Sequence, residues 1–133
     1  MQDTDVGWAQ RVVDRWSVKK SVPAPRVITV PTGMDIPLSG YLDSLIIVNE
    51  KAWDRLDFPG KLLLLADPFS YHVQCSSERI TTDDEISQLA SELVVTEVEL
   101  WSDATGVRMT RLMSLKSISK LMKLMEARLA TRQ

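Results

Sequence analysis

Trp8, Val12, Val13 and Trp16 recur three or four positions apart, a spacing that stacks all four on one face of a first helix. Asp3 or Thr4 stands where that helix needs a cap. Ser17–Pro25 then breaks the pattern with Pro23 and Pro25. RVITV, Arg26–Val30, is short and β-branched and predicts a strand stopped by Pro31. Pro31–Gly40 (PTGMDIPLSG) reads as a turn-rich loop. LIIVN, Leu45–Asn49, is continuously apolar, as expected of a strand buried on both faces. Glu50–Leu56 predicts one or two helical turns bearing Trp53. Pro59 suits the first turn of the next helix, where Lys61–Ala66 is apolar nearly all round and so predicts burial. Pro68 is expected to kink or end that helix, because continuing through it costs ~3 kcal/mol.

Gln74–Thr81 is read as a polar connection. Thr82 with Glu85 three residues on is a capping box, opening a helix whose Ile86, Leu89, Ala90 and Leu93 share a face. Val94–Trp101 alternates apolar with polar and favours a strand, with Val107–Leu112 as the return arm of a hairpin. The alternative is that the preceding helix runs on into it. Ser114–Thr131 predicts a last helix with a seam of Leu115, Ile118, Met122, Met125 and Leu129. The fold class expected is α+β: a small mixed sheet from Arg26–Val30, Leu45–Asn49 and, as a further element, the Val94–Leu112 hairpin, with helices packed on it. The organisation expected is a body over 1–113 and a basic amphipathic C-terminal helix over 114–133.

Composition narrows this little. The 133 residues are 44% hydrophobic and 26% charged, enough for one ordinary globular core. One cysteine, Cys75, excludes an intrachain disulfide and fits a reducing compartment. No apolar run approaches the ~20 residues of a membrane span, and the start of the chain lacks a signal-peptide layout. A soluble, cytoplasmic protein is expected. Charge changes the picture more. From Arg108 onward there are seven basic residues and one acid, Glu126, so an overall charge of −2 divides into −8 before that point and +6 after it. Such polarity suits a basic tail that meets an acidic partner or folds back on its own body.

Candidate chemistry is sparse. His72, the only histidine, and Cys75 give an H-x-x-C pair, to which Asp83 or Asp84 could add a carboxylate; a structural zinc site wants four ligands. A packed histidine explains the same residue, and helix capping explains Asp83, Asp84 and Glu85. Cys75 beside His72 has no recognisable oxyanion motif, and no phosphate-binding or nucleophile-elbow motif occurs. No cofactor is implied. The C-terminal stretch is the strongest positive signal. Its Met- and Leu-rich seam beside lysines suits a protein partner or a homo-oligomer, with Arg108, Arg111, Lys116, Lys120, Met122, Lys123, Met125 and Arg128 as the contact residues. Nucleic acid is an alternative partner for the basic charge, but no aromatic residue follows Trp101, so base stacking lacks support.

Pro25–Val73 resembles the phage metallopeptidases, a family of small zincin-like proteins. The likeness lies in a helix ahead of a short strand, an apolar strand leading into a tryptophan-bearing turn (LIIVNEKAWDRL), and a leucine-rich helix ending in histidine (LLLLADPFSYHV). TTDDEISQLASEL occupies the place of the family's later acidic helix start. The resemblance implies a zincin-like core and, in a phage-encoded chain, the host cytoplasm or the virion as location. Against the family's D-H-E-L-x-H, however, this chain reads Asp67, Pro68, Phe69, Ser70, Tyr71, His72. Pro68 cannot bind a metal and Phe69 cannot activate water, so two members of an HExxH arrangement are gone. The expectation is a degenerate, non-catalytic relative that binds another protein. The alternatives are a divergent metal-dependent hydrolase using His72 and a nucleic-acid-associated protein using the basic C-terminal helix.

Overall fold

A computed structural model describes residues 3–30, 38–77 and 82–115, together with 121 and 123. Helix α1 (Asp3–Lys20) buries Trp8, Val12, Val13 and Trp16, as their spacing requires. Asp3 and Thr4 fall inside the helix, and the position ahead of it lies outside the described residues. Gln10 ties α1 to the sheet. Its side-chain amide donates to the Pro25 carbonyl at 2.9 Å and accepts from the Val27 N–H at 2.8 Å.

Three strands follow: β1 (Arg26–Val30), β2 (Ser39–Leu42) and β3 (Leu45–Asn49). They lie in the order β1-β3-β2, with β1 parallel and β2 antiparallel to β3. The sheet is therefore mixed, and β1 and β3 have the bounds their apolar runs predict. Strand β2 corrects the reading of Pro31–Gly40 as loop throughout. Ser39 and Gly40 are paired with Val48 and Ile47, while residues 31–37 lie outside the described residues. Ser-Gly-Tyr-Leu carries no β-branched residue, so register with β3, not propensity, makes it a strand.

The β2–β3 connection is a two-residue turn at Asp43 and Ser44, whose φ angles are 46° and 62°. Two left-handed residues in succession match the strand twist, and asparagine followed by glycine adopts them most easily. The double substitution Asp43→Asn, Ser44→Gly is therefore expected to raise stability by about 1 kcal/mol. A higher urea midpoint at unchanged slope would show it; a lower midpoint would contradict the turn geometry.

Helix α2 (Glu50–Arg55) starts where the Asn49 side chain accepts from the Ala52 N–H. Helix α3 (Phe58–Ser77) starts where the Asp57 carboxylate accepts from the Gly60 N–H at 3.0 Å. Pro59 lies in its first turn, as expected. Pro68 does not end α3, which corrects one of the two outcomes expected of it. Only the bond from position 68 to the Leu64 carbonyl is forfeited. Burial of Leu62, Leu64, Leu65, Ala66, Phe69 and His72 along the same helix outweighs that loss. Gln74 to Ser77 also continue α3, which corrects the polar connection assigned to Gln74–Thr81 over those four residues; residues 78–81 lie outside the described residues.

Helix α4 (Asp83–Thr105) opens as its capping box predicts, with Thr82 Oγ1 accepting from the Glu85 N–H. It then runs 23 residues to Gly106, whose φ of 73° closes it in the left-handed conformation. This overturns the Val94–Leu112 hairpin: 94–105 are helical, and Met109–Leu112 form a short helix, α5. The reason is a buried carboxylate. Leu93, Glu97, Val98, Trp101 and Thr105 share one helical face, and Glu97 is buried because Arg15 of α1 pairs with it and the Trp101 indole donates to it at 2.6 Å.

Alternation and register divide the sheet into two faces. Val27, Ile46, Val48 and Tyr41 share the face that packs on α1 and α3. Ile28, Leu45, Ile47 and Leu42 share the other, where the first three are half-buried and Leu42 is exposed. Burial of Leu45–Asn49 on both faces is thus corrected to burial on one. The C-terminal stretch begins inside this architecture. The Phe58 N–H donates to the Leu115 carbonyl at 2.8 Å, and Leu121 is wholly buried in the common core. Most of the helix assigned to 114–133 lies outside the described residues.

Candidate functional site

The sequence singles out His72, and α3 delivers it to the inner face of the sheet beside β2. It is 2% exposed. Nε2 lies 2.6 Å from the Pro23 carbonyl and Nδ1 lies 2.8 Å from the Tyr41 hydroxyl. A carbonyl only accepts, so Nε2 carries the proton and donates; Nδ1 of a neutral ring then accepts from the tyrosine O–H. Both ring nitrogens are engaged. The imidazole bridges three segments distant in sequence: the stretch before β1, strand β2 and helix α3.

The neighbouring positions of the D-H-E-L-x-H comparison are equally occupied by structural roles. Phe69 is fully buried against Trp16, with ring centroids 5.6 Å apart, so it points into the core and not towards solvent. Pro68 lines a groove. Cys75 and Asp83 are exposed, and among the described residues no three His, Cys, Asp or Glu side chains are grouped to hold a metal. His72, Cys75 and Asp83 therefore do not converge on one point. Asp83, Asp84 and Glu85 form the exposed first turn of α4, where acids complement the helix dipole.

The groove beside Pro68 is the feature that sequence reasoning missed. It encloses about 440 Å³ between β2, α3 and the start of α4. From α3 it takes Asp67, Pro68, Tyr71 and Cys75; from β2 it takes Ser39, Gly40 and Tyr41; Ile86 and Ser87 of α4 close the far side. A signal existed: Asp67, Tyr71 and Cys75 repeat every four residues and so share one face of α3.

Strand β2 is an edge strand and contributes its backbone to this groove. The Asn49 N–H donates to the Leu38 carbonyl, which fixes the ladder phase. By antiparallel alternation Gly40 and Leu42 also turn their main-chain groups towards β3, and Ser39 and Tyr41 turn theirs outward. No partner for those outward groups occurs among the described residues.

Partial burial pushes the Asp67 carboxyl above its ordinary pKa of 3.8. Its folded pKa exceeds its unfolded one, so the folded chain binds the extra proton between them and loses stability as pH rises through that window. Asp67→Asn is accordingly expected to raise the melting temperature at pH 7 and to leave it unchanged well below pH 3.8, where the carboxyl is protonated in both states. A lower melting temperature at pH 7 would show that the carboxylate has a stabilising partner.

Of the contact residues assigned to the C-terminal region, Arg108, Arg111 and Lys123 are exposed. Lys116, Lys120, Met122, Met125 and Arg128 lie outside the described residues. No described helix is long and apolar enough to cross a membrane. Comparison with protein-family models, curated proteins and solved structures finds no match to this chain.

Proposed function

We propose that this is a non-catalytic protein that works by binding another protein, presenting an open sheet edge together with the basic C-terminal stretch. The observation that carries the reading is the use of His72 as a clip. Its imidazole is committed to Tyr41 and Pro23, which holds β2 over α3 with its outer edge unpaired among the described residues. An unpaired edge strand is a template for another chain, and main-chain pairing of that kind is a recurrent mode of protein recognition. A hydrolase using His72 as ligand would need a free ring nitrogen, and both are occupied.

Kinship with the phage metallopeptidases belongs to the same proposal. What supports it is an α3 that carries Asp67–His72 alongside an edge strand; Pro68 and Phe69, where ligand and base would stand, depart from the family's pattern. On this reading the chain keeps a zincin-like core without its chemistry, and location in a host cytoplasm or virion follows only from that kinship.

Two truncations separate tail from core. A chain ending at residue 123 keeps Leu121 and the Phe58–Leu115 bond, and is expected to unfold with the cooperativity of the full chain. A chain ending at residue 113 loses both, at a cost of about 3 kcal/mol. With a partner identified and purified, the 1–123 chain is expected to bind less tightly than the full chain. Equal affinity would remove the basic tail from the contact, and peptide hydrolysis by the zinc-supplemented full chain would overturn the reading itself.

A further inference from the structure

We infer that the groove between β2 and α3 takes an extended peptide segment carrying a lysine or arginine, which adds to the sheet along β2 and sets its cation against Asp67. The inference rests on the reading as a binding protein and names the chemistry of what is bound.

Three observations converge on it. The first is main-chain geometry. Ser39 and Tyr41 turn their N–H and C=O groups away from β3, so a segment laid beside β2 meets donors and acceptors at alternate residues, the spacing a strand requires. His72 holds Tyr41 in place through its hydroxyl, which keeps this edge extended before anything arrives.

The second is charge. Asp67 lies in the groove with no hydrogen-bond or ion-pair partner among the described residues, and the acidic first turn of α4 (Asp83, Asp84, Glu85) directly precedes Ile86 and Ser87 of the groove wall. Among the described residues no lysine or arginine lines the groove. An anionic ligand is therefore repelled by Asp67, and a cationic side chain gains a charge-assisted hydrogen bond to a carboxylate that is exposed at the groove surface and only partly desolvated by its wall. The raised pKa of Asp67 is the mark of that desolvation.

The third is shape. Tyr71 is 45% exposed and lines the groove one helical turn beyond Asp67, offering an aromatic surface to the aliphatic stem or the charge of the bound residue. Neutral, compact ligands would leave this carboxylate unpaired. A basic extended peptide satisfies both the edge and the acid.

The test titrates the ¹⁵N-labelled full chain with four blocked six-residue peptides of alternating valine and threonine. The third residue is lysine, norleucine or glutamate in three; the fourth keeps lysine and bears N-methyl groups on one edge. The lysine peptide is expected to shift the amides of Ser39, Tyr41 and Tyr71 and to bind roughly tenfold or more tightly than the norleucine peptide, with the glutamate peptide weaker again. N-methylation is expected to abolish the shifts. Asp67→Asn should bring the lysine peptide down to the norleucine level. Ser39→Pro, which removes only an outward-facing N–H, should abolish binding of both peptides while leaving the melting temperature close to that of the parent.

Shifts that map elsewhere, or lysine and glutamate peptides of equal affinity, overturn the inference. So does binding that survives both Ser39→Pro and N-methylation. A purified protein partner that binds the full chain and ignores Ser39→Pro and Asp67→Asn would overturn this groove assignment alone. Absence of both peptide and partner binding would take the binding-protein reading with it.

Discussion

His72→Ala is expected to lower stability by roughly 3 kcal/mol, the combined effect of an emptied ring site in the core and two lost hydrogen bonds. The loss should also be local. The Tyr41 hydroxyl and the Pro23 carbonyl are both left unpaired at the junction of β2, α3 and the entry to β1. Hydrogen exchange at Gly40 and Leu42, whose amides bond to β3, should therefore accelerate more than exchange in β1. Urea unfolding and amide exchange together check this. Stability within about 0.5 kcal/mol of the parent, the range of an ordinary surface substitution, would show that the histidine is not a clip. His72→Phe refines the test, because it refills much of the volume and restores neither hydrogen bond.

Trp101→Ala is expected to cost about 4 kcal/mol, a large share of the ~5–15 kcal/mol that holds a domain of this size. The indole is 3% exposed and packs edge-on to Trp8 and Phe58, with centroids 5.8 and 5.6 Å away. Its N–H also donates to Glu97, a buried carboxylate whose other partner is Arg15. Removing the ring thus empties a cavity in an aromatic cluster and strips one donor from a buried charge. Trp101→Phe divides the two effects: it keeps most of the cluster and loses the donor, so about 1–2 kcal/mol is expected. If Trp101→Phe costs as much as Trp101→Ala, the Glu97 hydrogen bond matters more than the packing.

Glu97 also explains where the sequence misleads. Val94–Trp101 alternates, and an acid at 97 reads as a solvent-facing position of a strand. In α4 the same acid is buried, because Arg15, 82 residues earlier, comes to meet it. A partner so distant leaves no local trace. The capping box at Thr82 was legible and opens the helix correctly; Gly106, whose left-handed conformation closes it, was not read as a helix end, and the alternation between the two favoured the wrong element. Pro68 misleads differently. Its penalty is real, but a helix buried on most sides can carry it.

The elements most readable from the chain were those with one strong period. Trp8, Val12, Val13 and Trp16 place α1, and RVITV and LIIVN place β1 and β3, because burial of one face dictates those patterns. Strand β2 was illegible, since Ser39 and Gly40 have no strand preference and pair only because the Asp43–Ser44 turn folds them onto β3. The groove was illegible for the same reason. Asp67 and Tyr71 announce a polar stripe on α3, but the β2 edge that completes the site appears only once the turn is made. His72 was visible from the start as a candidate for chemistry beside Cys75 and Asp83; its two partners, 31 and 49 residues away, were not.

The His72 ring nitrogens decide between clip and metal ligand, and ¹⁵N resonances of the histidine side chain report their state directly. The expected spectrum shows a protonated Nε2 and an unprotonated Nδ1 at neutral pH, both unmoved by one equivalent of zinc. A zinc-dependent shift of either nitrogen, with metal retained at one ion per chain after dialysis, would make His72 a ligand and contradict the clip.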